Sequence, residues 1–279
     1  EARSELDEAQ YLISRIQEYK NTENKSYKDF AILYRTNAQS RVIEEAFLHA
    51  GVPYSLVGGV RFYERKEIKD VLSYLRLLLN PKDEVARKRV ERLGKNRLRK
   101  FEEFSQKTQD LRLKIQELST LELLDKVLEV TGYLELFDPK DEEDLARLEN
   151  IKELRSVAEE FPNLSEFLEN VALTEKESRS RSQKADSRGA VTLMTMHAAK
   201  GLEFPIVFIV GMEEGLFPHS RSLLDKNELE EERRLCYVGI TRAQEKLFLT
   251  YATRRLYFGQ RSANMVSRFI AEIPESLIQ

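Results

Sequence analysis

The chain has 279 residues, 41% hydrophobic and 33% charged, which is enough for two domains of ordinary size, each with its own core. A formal net charge of −3 excludes a uniformly basic nucleic-acid coat while leaving a local basic groove open, and the lone Cys236 excludes an internal disulfide framework. Three histidines without HExxH or CxxC spacing predict no metal site; the absence of an apolar run of ~20 residues and the polar, acidic start at Glu1–Gln10 predict no membrane span and a cytoplasmic setting.

In chain order, Ala2 to Tyr19 has helical periodicity, with Ala9, Leu12, Ile13 and Ile16 on one face. A polar loop leads to a short apolar strand, Phe30–Tyr34. Asn37 is the expected N-cap of a helix over Ala38–Ala50, closed by Gly51. Tyr54–Val57 reads as a second strand stopped by Gly58-Gly59, and a long helix from about Glu64 is expected to end near Asn80-Pro81. Continuously apolar strands alternating with helices predict an α/β fold with a parallel sheet covered on both faces.

From Asp83 to about Asn170 the pattern predicts helices alone. Apolar residues recur at three- and four-residue spacing, at Leu111, Ile115 and Leu118 and again at Leu145, Leu148, Ile151 and Leu154, with breaks at Gly132, Pro139 and Pro162. Thr174–Gly189, rich in Ser, Arg, Lys and Glu, reads as a flexible loop. Strands are then expected at Val191–Thr195, Ile206–Val210 and Lys246–Tyr251, with a helix starting near Lys226. The expected organisation is therefore a discontinuous α/β domain, residues 1–82 and 190–279, interrupted by an all-helical subdomain, residues 83–189.

Three clusters carry candidate chemistry. Thr195 to Pro205 gathers a hydroxyl, an imidazole, an ammonium and a carboxylate just after a strand, where α/β sheets collect ligands. The plain structural alternative is a solvated strand exit. Glu230 to Ala243 is a helix whose apolar end presents Arg242, either to a phosphate or simply as a cap on the helix carboxyl end. Tyr34-Arg35-Thr36-Asn37 again ends a strand; it offers an aromatic face and a guanidinium, or a buried tyrosine beside a solvated arginine.

Together the clusters resemble the C-terminal motifs of superfamily 1 helicases of the UvrD/Rep/PcrA kind. Tyr34-Arg35-Thr36-Asn37-Ala38-Gln39-Ser40-Arg41 is similar to motif IV, and Gly58 to Asp70 to the segment after it. Thr195 to Pro205 is similar to motif V and Tyr237-Val238-Gly239-Ile240-Thr241-Arg242-Ala243 to motif VI. The resemblance is close over residues 30–81 and 191–273 and looser through the helical module. It implies that the α/β domain is RecA-like, in a motor that uses ATP to translocate on single-stranded DNA, 3′ to 5′, and to unwind duplex in a nucleoid-associated setting.

At matching positions the resemblance implies that Tyr34 stacks on adenine, Arg35 reaches the γ-phosphate and Glu203 bonds the ribose. Arg242 is implied as the arginine finger that stabilises charge on the transferred phosphoryl group. Thr195 and His197 would hold the single strand's phosphates, and Arg61 and Phe62 would line the DNA path. Mg²⁺ would be held by a preceding RecA-like domain: Gly94-Lys95-Asn96 has no earlier glycine at phosphate-loop spacing and no strand before it, and no Asp-Glu pair follows an apolar strand. The chain is thus expected to begin at a domain junction and to be inactive without its N-terminal RecA-like half.

The relatives' Gly-Ile-Gly loop is missing. In its region Arg87, Lys88, Arg89, Arg92, Lys95, Arg97, Arg99 and Lys100 oppose one acid, Glu91, as a duplex contact or a solvated helix face. A different class of protein stays open: a helicase-derived module that binds nucleic acid or protein without catalysis. The retained Arg35, Glu203 and Arg242 weigh against it, because a binder needs no γ-phosphate contacts.

Overall fold

The computed structural model describes residues 1–110, 118–182 and 189–277. The chain divides into two compact units, one of residues 1–61, 177–256 and 261–279, the other of residues 62–176 and 257–260.

The first unit is built on a five-stranded sheet in the order β2-β3-β1-β4-β5, with every pairing parallel. The strands are β1 (Phe30–Tyr34), β2 (Tyr54–Val57), β3 (Val191–Thr195), β4 (Phe204–Ile209) and β5 (Ala243–Leu249). β5 starts three residues ahead of its expected position because Ala243 already pairs with Phe204. All five β1 side chains are buried, as a central strand covered on both faces requires. Phe30, Ile32 and Tyr34 join one core with Leu12 and Ile16 of helix α1 (Glu5–Thr22) and Ile43 and Phe47 of α2 (Ser40–Ala50). Ala31 and Leu33 join the opposite core, with Leu235 and Cys236 of the later helix Lys226–Ile240.

Local chemistry sets the helix ends. Ser4 accepts the Asp7 amide at the start of α1, and Gly51, at φ 70°, closes α2 in the left-handed conformation that glycine adopts without a Cβ clash. Asn37 is not the expected cap. It opens a short 3₁₀ turn, Asn37–Gln39, whose N-cap is Thr36 and which runs into α2.

The helical unit contains α3 (Lys66–Leu79), α4 (Glu84–Arg92), α5 (Lys95–Asp110), α6 (Thr120–Thr131), α7 (Glu142–Glu160) and most of α8 (Leu164–Ser182). Ile68, Leu72 and Leu75 of α3 share its core with Val90, Leu124, Leu154 and Phe167, so this helix is part of the helical core. Beneath that core, Asp70 accepts hydrogen bonds from Tyr133 Oη (2.9 Å) and Arg89 Nε (2.5 Å). Gly132, at φ 61°, ends α6, and Pro162 stands between α7 and α8, the breaks the sequence predicts. Leu111 and Ile115 lie outside the described residues.

One expectation is overturned. Residues 174–182, read as loop, continue α8. Glu, Lys and Arg are good helix formers, so a charged stretch without apolar periodicity still extends a helix already anchored by Leu164, Phe167 and Val171. The rest of that predicted loop, 183–188, lies outside the described residues.

Downstream come α9 (Lys226–Ile240), the hairpin strands β6 (Arg255–Tyr257) and β7 (Gln260–Ser262), and the short α10 (Arg268–Ala271). Among the described residues no helix is long and apolar enough to cross a membrane.

Candidate functional site

Arg35 follows the last residue of β1. Its backbone is pinned by Gln39, whose side-chain oxygen accepts the amides of Arg35 (2.9 Å) and Thr36 (2.8 Å). Gly211 makes room for that clamp: at φ 68°, a Cβ there would lie 2.4 Å from Gln39 Nε2 and 2.8 Å from Leu216 Cδ2. Strand alternation sends Arg35 toward α9, where Nε and Nη2 donate to the Glu232 carboxylate at 2.7–3.0 Å. Glu232 is buried and also accepts the His219 amide at 3.0 Å.

Arg242 follows α9 and folds back along it. Its Nε donates to the Val238 carbonyl (2.9 Å), Nη1 to the Leu202 carbonyl (3.0 Å) and Nη2 to Thr241 Oγ1 (3.0 Å). Every acceptor is neutral, and no carboxylate within the described residues forms an ion pair with it. The side chain therefore satisfies carbonyls at the helix carboxyl end, the capping role noted above, and keeps an uncompensated positive charge there.

Glu203 is exposed just ahead of β4 and accepts a hydrogen bond from Gln244 Nε2 at 3.3 Å. It neighbours Arg242 through the backbone, because the Phe204 amide donates to the Arg242 carbonyl at 2.9 Å. Thr195 ends β3 beside Tyr34, and the Met196 amide donates to the Tyr34 carbonyl at 3.0 Å. Thr195 Oγ1 accepts the Ala198 amide at 3.3 Å, forming a tight turn that exposes His197.

The expected residues thus fall into two groups. Tyr34, Arg35, Thr195 and His197 gather at the carboxyl ends of β1 and β3, and Glu203 and Arg242 at the amino ends of β4 and β5. Helix α9 links them: Arg35 is held at Glu232 and Arg242 at Val238, six positions apart, or about 9 Å of helix rise.

Two expectations meet a different environment. Tyr34 is only 2% exposed, with its ring in the core beneath α1 and α2, so the face expected to stack on adenine is covered in this conformation. Phe62 is 1% exposed and packs edge-on against Tyr63 in the helical core, so its ring is covered in this conformation; its neighbour Arg61 approaches the Tyr54 ring, 5.8 Å from its centroid. Cys236 is a buried thiol pushed up to about 12 by burial, a small apolar core residue.

Sequence reasoning missed Gln39 and Glu232. Glu232 is the third of three consecutive glutamates, and only the register of α9 against the sheet separates it from the exposed Glu231. In the basic run, Arg87 pairs with Glu102 and Arg89 with Asp70, so part of its charge is neutralised at home. Gly94, at φ 122°, joins α4 to α5. Among the described residues no group of three or more His, Cys, Asp and Glu side chains is arranged to hold a metal ion.

These features define a RecA-like α/β domain: a parallel sheet flanked by helices and interrupted by a helical unit. The profile of the UvrD-like helicase C-terminal domain matches residues 1–126 and 91–254, and the chain belongs to that family. Over its whole length the chain is 42% identical to the "ATP-dependent DNA helicase PcrA" of Staphylococcus aureus (strain Mu50 / ATCC 700699), covering 44% of that protein. Proteins of the same description from Leuconostoc citreum and Staphylococcus epidermidis (strain RP62A) are 42% and 41% identical over the whole chain, which covers 43% and 44% of them. The chain therefore spans less than half the length of these curated relatives.

Proposed function

We propose that the chain is the C-terminal portion of an ATP-dependent DNA helicase that translocates 3′ to 5′ on single-stranded DNA and unwinds duplex. The observation that carries this reading is the pair of arginines whose side chains both contact α9, Arg35 at Glu232 and Arg242 at Val238, with Arg242 held by neutral acceptors alone. An arginine with no carboxylate partner loses only weak hydrogen bonds when it turns to a phosphate, and its planar fork suits phosphate oxygens. Arg242 is the arginine finger and Arg35 the second γ-phosphate contact, with Glu203 beside Arg242 meeting the ribose. Tyr34 stacks on the adenine only after its cover from α1 and α2 moves aside.

Thr195, His197 and Arg61 contact the phosphates of the single strand, and the basic α4–α5 segment meets duplex backbone non-specifically. Residues 1–61, 177–256 and 261–279 act as the second RecA-like domain, with the helical unit inserted. Among the described residues no carboxylate cluster is arranged to hold Mg²⁺, and Gly94-Lys95 between two helices is no phosphate loop. The metal and the nucleotide's phosphate cradle belong to an N-terminal RecA-like domain.

The test is DNA-stimulated ATP hydrolysis by this chain alone and together with the N-terminal half of the protein that contains it. No turnover is expected alone, recovery with the partner half, and loss of that recovery on Arg242→Ala. Steady turnover by the isolated chain, unchanged in Arg242→Ala, would overturn the reading.

A further inference from the structure

The Arg35 guanidinium is gripped by one edge only. Nε and Nη2 face the Glu232 carboxylate in a fork-to-fork arrangement, at 2.9 and 3.0 Å from Nε and 2.7 Å from Nη2. Nη1 makes no hydrogen bond among the described residues, and about a fifth of the Arg35 side chain remains exposed. Glu232 itself cannot easily move. It is buried on α9, and its Oε2 also accepts the His219 amide at 3.0 Å from the cis Phe217-Pro218 segment. The arginine's backbone is fixed independently, through the Gln39 side chain.

A long, flexible side chain is thus held at both ends, with a single edge of its fork left over. Ordering an arginine costs rotamer entropy of up to ~2 kcal/mol, and here that cost is met before any ligand arrives. The carboxylate leaves the Nη1 donors unmatched, and those are the donors an oxyanion can take.

We infer that Glu232 is a positioning residue: it orients Arg35 so that the Nη1 edge meets the γ-phosphate, and through the His219 amide it ties that orientation to the loop ahead of α9. This rests on the reading of Arg35 as a phosphate contact. Glu232 touches neither nucleotide nor DNA in this scheme; it acts only through Arg35. Turnover depends on the exact placement of a group that meets the transferred phosphoryl, so losing the clamp lowers kcat far more than it weakens nucleotide binding.

The experiment uses the full-length protein that contains this chain, measuring DNA-stimulated ATPase for the wild type, Arg35→Ala, Glu232→Gln and the double variant. Glu232→Gln keeps the shape and the His219 hydrogen bond while removing the charge. It is expected to lower kcat on the order of tenfold with KM for ATP changed less than about threefold, and to add almost nothing to Arg35→Ala. Glu232→Asp, which keeps the charge, should recover part of the loss. A merely structural role would lower the melting temperature and act equally with and without Arg35, and that additive pattern overturns the inference. So does Glu232→Gln with wild-type kcat, or with tighter ATP binding at undiminished turnover, which would make the carboxylate a competitor of the phosphate. Wild-type ATPase in Arg35→Ala sinks the underlying reading instead.

Discussion

Arg255 and Glu213 are joined by three hydrogen bonds of 2.6–3.2 Å, both side chains being almost wholly buried. The same guanidinium reaches Glu8 of α1 at 2.6 Å, while Glu8 also accepts the Gly211 amide and the Thr250 hydroxyl, and Glu213 accepts the Ala252 amide. One cation therefore ties α1 to the segments that follow β4 and β5.

Replacing Arg255 with Met leaves two buried carboxylates without their cation. Removing one partner of a buried ion pair costs about 3–5 kcal/mol, well above the loss expected from packing alone at this site. Urea denaturation of the chain should register that loss; a change below about 1 kcal/mol would mean the network is worth little. Burial by itself lowers the Arg255 pKa, but Glu8 and Glu213 together outweigh it and hold the pKa above its ordinary value. A raised pKa gives stability that is complete below the unfolded value and fades only as pH passes the folded one. The contribution is therefore constant through neutral pH, and the destabilisation of Arg255→Met should be the same at pH 7 and pH 9.

Phe62 separates a core role from a DNA role. Buried against Tyr63 and Ile68, it should cost about 3–5 kcal/mol as Phe62→Ala, read by chemical denaturation. Phe62→Leu, which refills most of the volume, should leave single-strand affinity and its salt dependence unchanged. Arg61→Ala should reduce the salt slope by about one if Arg61 meets a phosphate. A drop in affinity for Phe62→Leu with the fold intact would return Phe62 to the DNA path.

Cys236 gives a pH signature. Burial raises its thiol to about 12, so the folded chain keeps a proton that the unfolded chain releases near its ordinary value of about 9. Stability should therefore fall as pH climbs from about 9 toward about 12. The melting temperature of Cys236→Ala should decline less over that interval than the wild type's. Equal slopes would mean that the thiol is reached by water in the folded state.

Much of the architecture was legible because periodicity is a local property. The apolar run Phe30–Tyr34 announces a strand buried on both sides, and Gly51 and Gly132 stand where helices must end. Residues 174–182 misled because low apolar content resembles a loop when the anchoring contacts of Phe167 and Val171 lie earlier in the same helix.

Tertiary structure decided the surroundings of the named residues. No local pattern states that α3 would spend its apolar face on other helices, burying Phe62, or that α1 and α2 would close over Tyr34. Nor does it say that Glu232, alike in composition to Glu230 and Glu231, is the glutamate that meets Arg35 across 197 positions of sequence. Sequence specified which residues carry charge and which segments repeat with the period of a helix or a strand, since both are written in neighbouring residues. Which charge meets which partner depends on how faces dock, and that is set by packing between segments far apart in the chain.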